Sequence, residues 1–100
     1  MNDSSEQKSI LLHEKDNTLT ALLDLSPGQE IHTGSDTAPE TVVVCQNIPY
    51  AHKFARGFIA KGADVIKYGE VIGMATADIQ PGEHVHVHNV ESKRARGGPS

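Results

Sequence analysis

The sequence predicts a mostly β domain built of short strands, with one or two short helical turns. Three observations predict it. Thr41-Val42-Val43-Val44-Cys45-Gln46 is a β-branched run, suited to a pleated surface. Histidine and valine alternate through Gly82-Glu83-His84-Val85-His86-Val87-His88-Asn89, at the strand period of two. One pattern also recurs: ALLDLSPGQEI at 21–31 matches ATADIQPGEHV at 75–85 in register, and ARGFIAKGADV at 55–65 is a looser copy. Each copy has a small residue, an aliphatic four places on, a glycine three after that and an aliphatic three beyond. The glycines, Gly28, Gly62 and Gly82, are 34 and 20 residues apart. That irregularity excludes a solenoid and favours one compact domain with repeated corners.

In chain order, residues 1–8 are polar and read as a disordered N-terminus. Ser9-Ile10-Leu11-Leu12-His13 reads as an edge strand. Asp16 or Asn17 is placed to cap a helical turn over residues 18–23. Ser26-Pro27-Gly28-Gln29 has the proline and glycine of a type II turn. Residues 32–40, HTGSDTAPE, are small and polar and read as the most mobile internal loop. The unbroken apolarity of residues 41–46 predicts a strand buried on both faces, with Cys45 as a small buried hydrophobe. Ile48-Pro49 breaks that strand, and residues 53–60 read as a second helical turn ended by Gly62. Val65-Ile66-Lys67-Tyr68 is a strand, Gly69-Glu70 turns the chain, and Val71-Ile72-Gly73-Met74 follows. Gln80-Pro81-Gly82-Glu83 launches the histidine strand. Residues 9–90 form the domain, and residues 91–100 are a basic tail, mobile unless it docks on a partner.

Composition narrows the function. At 100 residues, 37% apolar and with four aromatic residues, the chain builds one modest core. Such a core suits a module that completes its site against another chain or against copies of itself. The formal charge of −4 supplies no basic field for nucleic acid. No apolar run approaches the ~20 residues of a membrane span. The acidic start, Met1-Asn2-Asp3-Ser4-Ser5-Glu6, is unlike a signal peptide, so a cytoplasmic location is expected. The single cysteine forms neither an internal disulfide nor a CxxC zinc knuckle.

The chemistry concentrates in the histidines. On a strand, His84, His86 and His88 share one face, with same-face Cβ atoms roughly 6.5–7 Å apart. Neutral imidazole is a common ligand for divalent transition metals, so His86 and His88 are candidate metal ligands. His84, nearest the turn, ranks below them. A solvated polar face is the plain alternative. Any full coordination sphere needs ligands from elsewhere in the fold or from another chain. Asn89 is placed to hydrogen-bond a hydroxyl or carboxylate, or to end the strand. His52-Lys53 is placed to bind a carboxylate or relay a proton, or is surface charge. If Val65 and Lys67 share a face, Tyr68 is a core or rim aromatic. His13 and His32 are isolated and carry no specific signal.

Together these residues carry a resemblance. AHKFA at 51–55, IAKGADVIKYG at 59–69, IGMA at 72–75 and DIQPGEHVHVHN at 78–89, with LHEKDN at 12–17, resemble the SAF domain of the altronate/galactarate dehydratase family over roughly residues 9–90. The resemblance implies a β-clip (antifreeze-like) fold. It implies the small subunit of a carbon–oxygen lyase that eliminates water from an aldonate or aldarate, giving a 2-keto-3-deoxy acid. A large catalytic subunit as partner and a sugar acid as substrate are implied with it. An iron or manganese ion is implied as cofactor, with His86 and His88 as its candidate ligands. His52, Lys53 and Tyr68 are then candidates for catalysis, and Lys67 and Asn89 for substrate contact. Two rival readings are a sulfite-eliminating subunit, like the alpha subunit of sulfolactate sulfo-lyase, and a non-catalytic β-clip module that binds sugar acids.

Overall fold

The computed structural model describes residues 7–34 and 39–92. Its strands are β1 (Ser9–Ile10), β2 (Thr18–Ala21), β3 (Glu30–Gly34), β4 (Pro39–Val43), β5 (Lys53–Ala55), β6 (Asp64–Lys67), β7 (Glu70–Ala75), β8 (His84–Val85) and β9 (Val90–Ser92). They form three antiparallel sheets, ordered β1-β2-β5-β8, β3-β4 and β6-β7-β9. The mostly β expectation holds. None of the described residues is helical, so no helix there is long and apolar enough to cross a membrane.

The repeated pattern is the framework of the fold. Its small and aliphatic positions are all buried: Ala21, Leu25 and Ile31, then Ala55, Ile59 and Val65, then Ala75, Ile79 and Val85. Gly28, Gly62 and Gly82 all have positive φ, between 85° and 92°. The sequence hid a fourth copy at residues 44–54, with Val44, Ile48 and Phe54 buried and Ala51 at φ 72° in the glycine place. An alanine at that position masks the motif, because only glycine takes such φ without steric cost.

The four copies pair into two clips. In the first, residues 21–31 meet 44–54: Leu25 and Ile48 exchange backbone hydrogen bonds, Gly28 N donates to Val44 O, and Ala51 N donates to Ala21 O. In the second, residues 55–65 meet 75–85 through the same set: Ile59 with Ile79, Gly62 N to Ala75 O, and Gly82 N to Ala55 O. Even the side-chain supports correspond. Asp24 accepts from Tyr50 N at 2.8 Å and Asp78 accepts from Lys61 N at 2.9 Å. Each clip closes over its own apolar cluster, one around Leu19, Leu25, Ile48 and Phe54, the other around Ile59, Val65, Ile79 and Val85.

Several local expectations give way to this framework. Residues 18–21 and 53–55 are strands, and the two predicted helical turns are absent. Thr18, Leu19 and Thr20 pair with Ala55, Phe54 and Lys53, so sheet pairing overrides a short local preference. The expected helix caps serve a distant hairpin instead. Asp16 accepts from Tyr68 N (3.0 Å) and Gly69 N (2.8 Å), and Asn17 bonds Ile66 N and Asp64 O. That hairpin joins β6 to β7 through Tyr68 and Gly69, at φ 60° and 76°, as a type I′ turn requires. Residues 41–46 are not buried on both faces. Val42 and Val44 are buried, while Val43 is 50% exposed and Cys45 is exposed, because β4 sits in a two-stranded sheet with one covered face. Most of the predicted loop at 32–40 belongs to the β3–β4 hairpin; residues 35–38 of that loop lie outside the described residues. Strand β9 takes in Glu91 and Ser92; residues 1–6 and 93–100, the bulk of the two predicted tails, also lie outside them.

Candidate functional site

The site lies where the two clips meet. Strand β5 ends the first clip and β8 ends the second, and they pair with Lys53 opposite Val85 and Phe54 opposite His84. One step further along that register sets His52 opposite His86. Directly opposed residues share a sheet face, so His52, His84 and His86 converge on one face, which also carries the fully buried Phe54. Their rings stack, with centroids 5.1 Å apart for His52–His84, 4.8 Å for His52–His86 and 5.2 Å for His84–His86, the last pair within 9° of parallel. His52 Nδ1 and His84 Nε2 stand 2.9 Å apart. One nitrogen from each of the three rings lies within 4.8 Å of the others.

The chain arrives at this arrangement by a route the alternation did not show. The strand stops at Val85, and residues 86–89 form a turn closed by Asn89 N donating to His86 O at 3.0 Å. The turn still brings His86 over His84, but His88 only reaches the rim, with its ring tilted 42° and 5.5 Å from that of His84. The three rings whose nitrogens stand close enough to share an ion are therefore His52, His84 and His86. The expected pair was His86 and His88. His52 was expected as a catalytic group; no spacing rule links it to a strand 32 residues away.

The electrostatics at His84 and His86 favour neutral rings. Burial, followed by the positive charges of His52, His86, His88 and Lys53, pushes His84 down to about 4. Desolvation, then His52, Lys53 and His88, lowers His86 from its ordinary value. No carboxylate enters either balance, so these two rings offer lone pairs over a wider pH range than a free imidazole. Two nitrogens about 2.1 Å from one ion and at right angles stand about 3.0 Å apart, close to the 2.9 Å between His52 and His84; the widest pair, up to 4.8 Å apart, must draw in to share the ion. Three neutral imidazoles suit iron, zinc and their neighbours. The residues fit.

The other candidates fall elsewhere. Alternation along β5 turns Lys53 to the opposite face from His52. It is half-buried there, and burial followed by the charge of Lys67 lowers its pKa. Tyr68 is 68% exposed on the hairpin turn, outside the core. Asn89 is buried, with its amide committed to the backbone: Oδ1 accepts from His86 N (2.9 Å) and Nδ2 donates to His84 O (2.8 Å). Gln46, which the sequence reading passed over, accepts from His84 N at 2.8 Å.

Residues 7–93 match the family model described as the altronate/galactarate dehydratase SAF domain. The chain belongs to this SAF-domain family. Among curated relatives, this SAF domain is 47% identical over 83 residues to altronate dehydratase of Escherichia coli (strain K12) and 37% identical over 83 residues to altronate dehydratase of Bacillus subtilis (strain 168). Each match covers 83% of this chain but 16% of the relative, so the SAF domain spans a small part of those dehydratases. It is also 40% identical over 60 residues to (2R)-sulfolactate sulfo-lyase subunit alpha of Paracoccus pantotrophus, covering 60% of this chain and 90% of that protein. Relatives that carry the SAF domain are thus named as lyases, and one name denotes a subunit.

Proposed function

We propose that this SAF domain is the small subunit of a sugar-acid hydro-lyase of the altronate type. It acts with a large catalytic chain to eliminate water from an aldonate or aldarate, giving a 2-keto-3-deoxy acid. The convergence of His52, His84 and His86 carries this reading. The three rings would hold a divalent cation, iron or manganese, at the junction of the clips. When bound, that ion supplies positive charge to the substrate carboxylate, where negative charge develops as the α-proton leaves.

The chain's own groups prepare the rest. The low basicity of His84 and His86 keeps their lone pairs free for the ion. Lys53, whose amine is more readily deprotonated than a free lysine, is the chain's candidate for proton transfer. Lys67 adds positive charge for an anionic substrate, and Tyr68 presents its hydroxyl from a rigid turn. His88, at the rim, is placed to contact substrate or the partner chain. The site opens on one side, and the large subunit supplies what it faces. A second reading, sulfite elimination from a sulfo acid, draws support from the match spanning 90% of a sulfo-lyase alpha subunit.

Co-expression with a large lyase chain, followed by assay of altronate, galactarate and sulfolactate with iron or manganese, tests both readings. Turnover that His84→Ala abolishes while the two chains still assemble is the expected result. Full turnover by an assembled His52→Ala, His84→Ala double variant defeats the assigned site. Assembly with no lyase activity on any acid leaves the non-catalytic module as the correct reading.

A further inference from the structure

The backbone of the histidine segment is held by side-chain amides. His84 N donates to Gln46 Oε1 (2.8 Å), His84 O accepts from Asn89 Nδ2 (2.8 Å), and His86 N donates to Asn89 Oδ1 (2.9 Å). None of these bonds belongs to the set that recurs at the four corners. The place in the second clip that corresponds to Gln46 is Gly57, which has no side chain at all. The fold therefore does not need this contact to close a clip. Gln46 also reaches across: it lies in the first clip with His52, and it grips His84 in the second. Asn89 is buried, and both ends of its amide are engaged in this task.

We propose that Gln46 and Asn89 are positioning residues for the cation site. Gln46 fixes His84 relative to His52, and Asn89 fixes His86 relative to His84. The inference rests on the three histidines holding a cation. The physical basis is preorganisation. A site whose ligands are already in register loses less conformational entropy on binding, and outer-shell partners typically change metal affinity about 10–100-fold. Both residues act only through the backbone of the ligands, so neither is expected to touch the ion.

The full chain is titrated with Co2+ alone, read by its visible absorption and by calorimetry, in wild type, Gln46→Ala, Gln46→Glu and Asn89→Ala. Gln46 is exposed, so Gln46→Ala keeps the wild-type melting temperature within a few degrees and weakens Co2+ at least about tenfold. Gln46→Glu, which retains the acceptor, restores the wild-type absorption bands. Asn89→Ala weakens Co2+ further and alters the bands; if it fails to fold, the Gln46 pair decides alone. Wild-type affinity and bands in Gln46→Ala overturn the inference and leave the cation reading standing. No Co2+ uptake by the wild-type chain overturns both.

Discussion

Replacing Gly62 and Gly82 separately by alanine isolates steric room from backbone conformation at two equivalent corners. Both residues have almost the same φ, +89° and +85°, so each alanine bears the same left-handed cost of about 1–2 kcal/mol. A Cβ at Gly62 meets nothing within 4 Å, and the cost ends there. A Cβ at Gly82 would overlap the carbonyl oxygen of Val43 and press on Val44 Cα at 3.2 Å. Both obstacles are backbone, so the corner must open. The added loss is about 4 kcal/mol or more, against a total stability of about 5–15 kcal/mol for a domain of this kind. At about 4–8 °C per kcal/mol, Gly62→Ala lowers the melting temperature by about 5–15 °C. Gly82→Ala unfolds the chain or lowers it by well over twice that. Thermal and urea unfolding followed by circular dichroism measure both. Equal losses, within about 1 kcal/mol, refute the claim that the corner at Gly82 is closed by contact with the first clip.

Other outcomes follow from the same geometry. Phe54→Ala removes the largest fully buried side chain and costs about 3–5 kcal/mol in urea unfolding. Tyr68→Asn places a residue that tolerates φ 60° and raises stability by up to about 1 kcal/mol; if the tyrosine hydroxyl serves catalysis, turnover of the assembled enzyme falls at the same time. Asp16→Ala strips two backbone donors of their buried acceptor and destabilises by about 2–4 kcal/mol, with amide exchange rising first at residues 68 and 69. Acid weakens the metal-free chain. In the folded state His84 stays neutral down to about pH 4, while the unfolded chain takes up that proton near 6.5. The stabilising difference is present above 6.5 and is lost as pH falls from there towards 4, by about 1 kcal/mol for so exposed a ring. Urea midpoints measured across that range check the sign.

How far the sequence could be read depended on whether the signal was local. Three of the four corners were visible because glycine, a small residue and aliphatics stand at fixed offsets; the fourth was hidden by Ala51 and by Phe54 in an aliphatic place. The helical turns at 18–23 and 53–60 failed because the two segments pair with each other, 33–37 residues apart, and pairing of that range leaves no periodicity in a short segment. Asp16 and Asn17 were recognised as capping residues, but their targets, the amides at 66, 68 and 69, are distant in sequence. The histidine cluster was located, and His88 does neighbour His84, but His52 was not read as part of the same cluster. Alternation identified His84, His86 and His88 as neighbours, but a turn after Val85 moves His88 aside, and only the β5–β8 register brings in His52. The position of Gln46 was illegible for the same reason, since its contact crosses from one clip to the other.

The central claim is that His52, His84 and His86 form one cation site and that His88 lies outside it. Stoichiometric Co2+ binding to the full chain, compared between His52→Ala and His88→Ala, tests it most directly. One equivalent bound by wild type and by His88→Ala, and lost in His52→Ala, is the predicted result. Retained binding in His52→Ala with loss in His88→Ala would contradict it and return the site to a single strand.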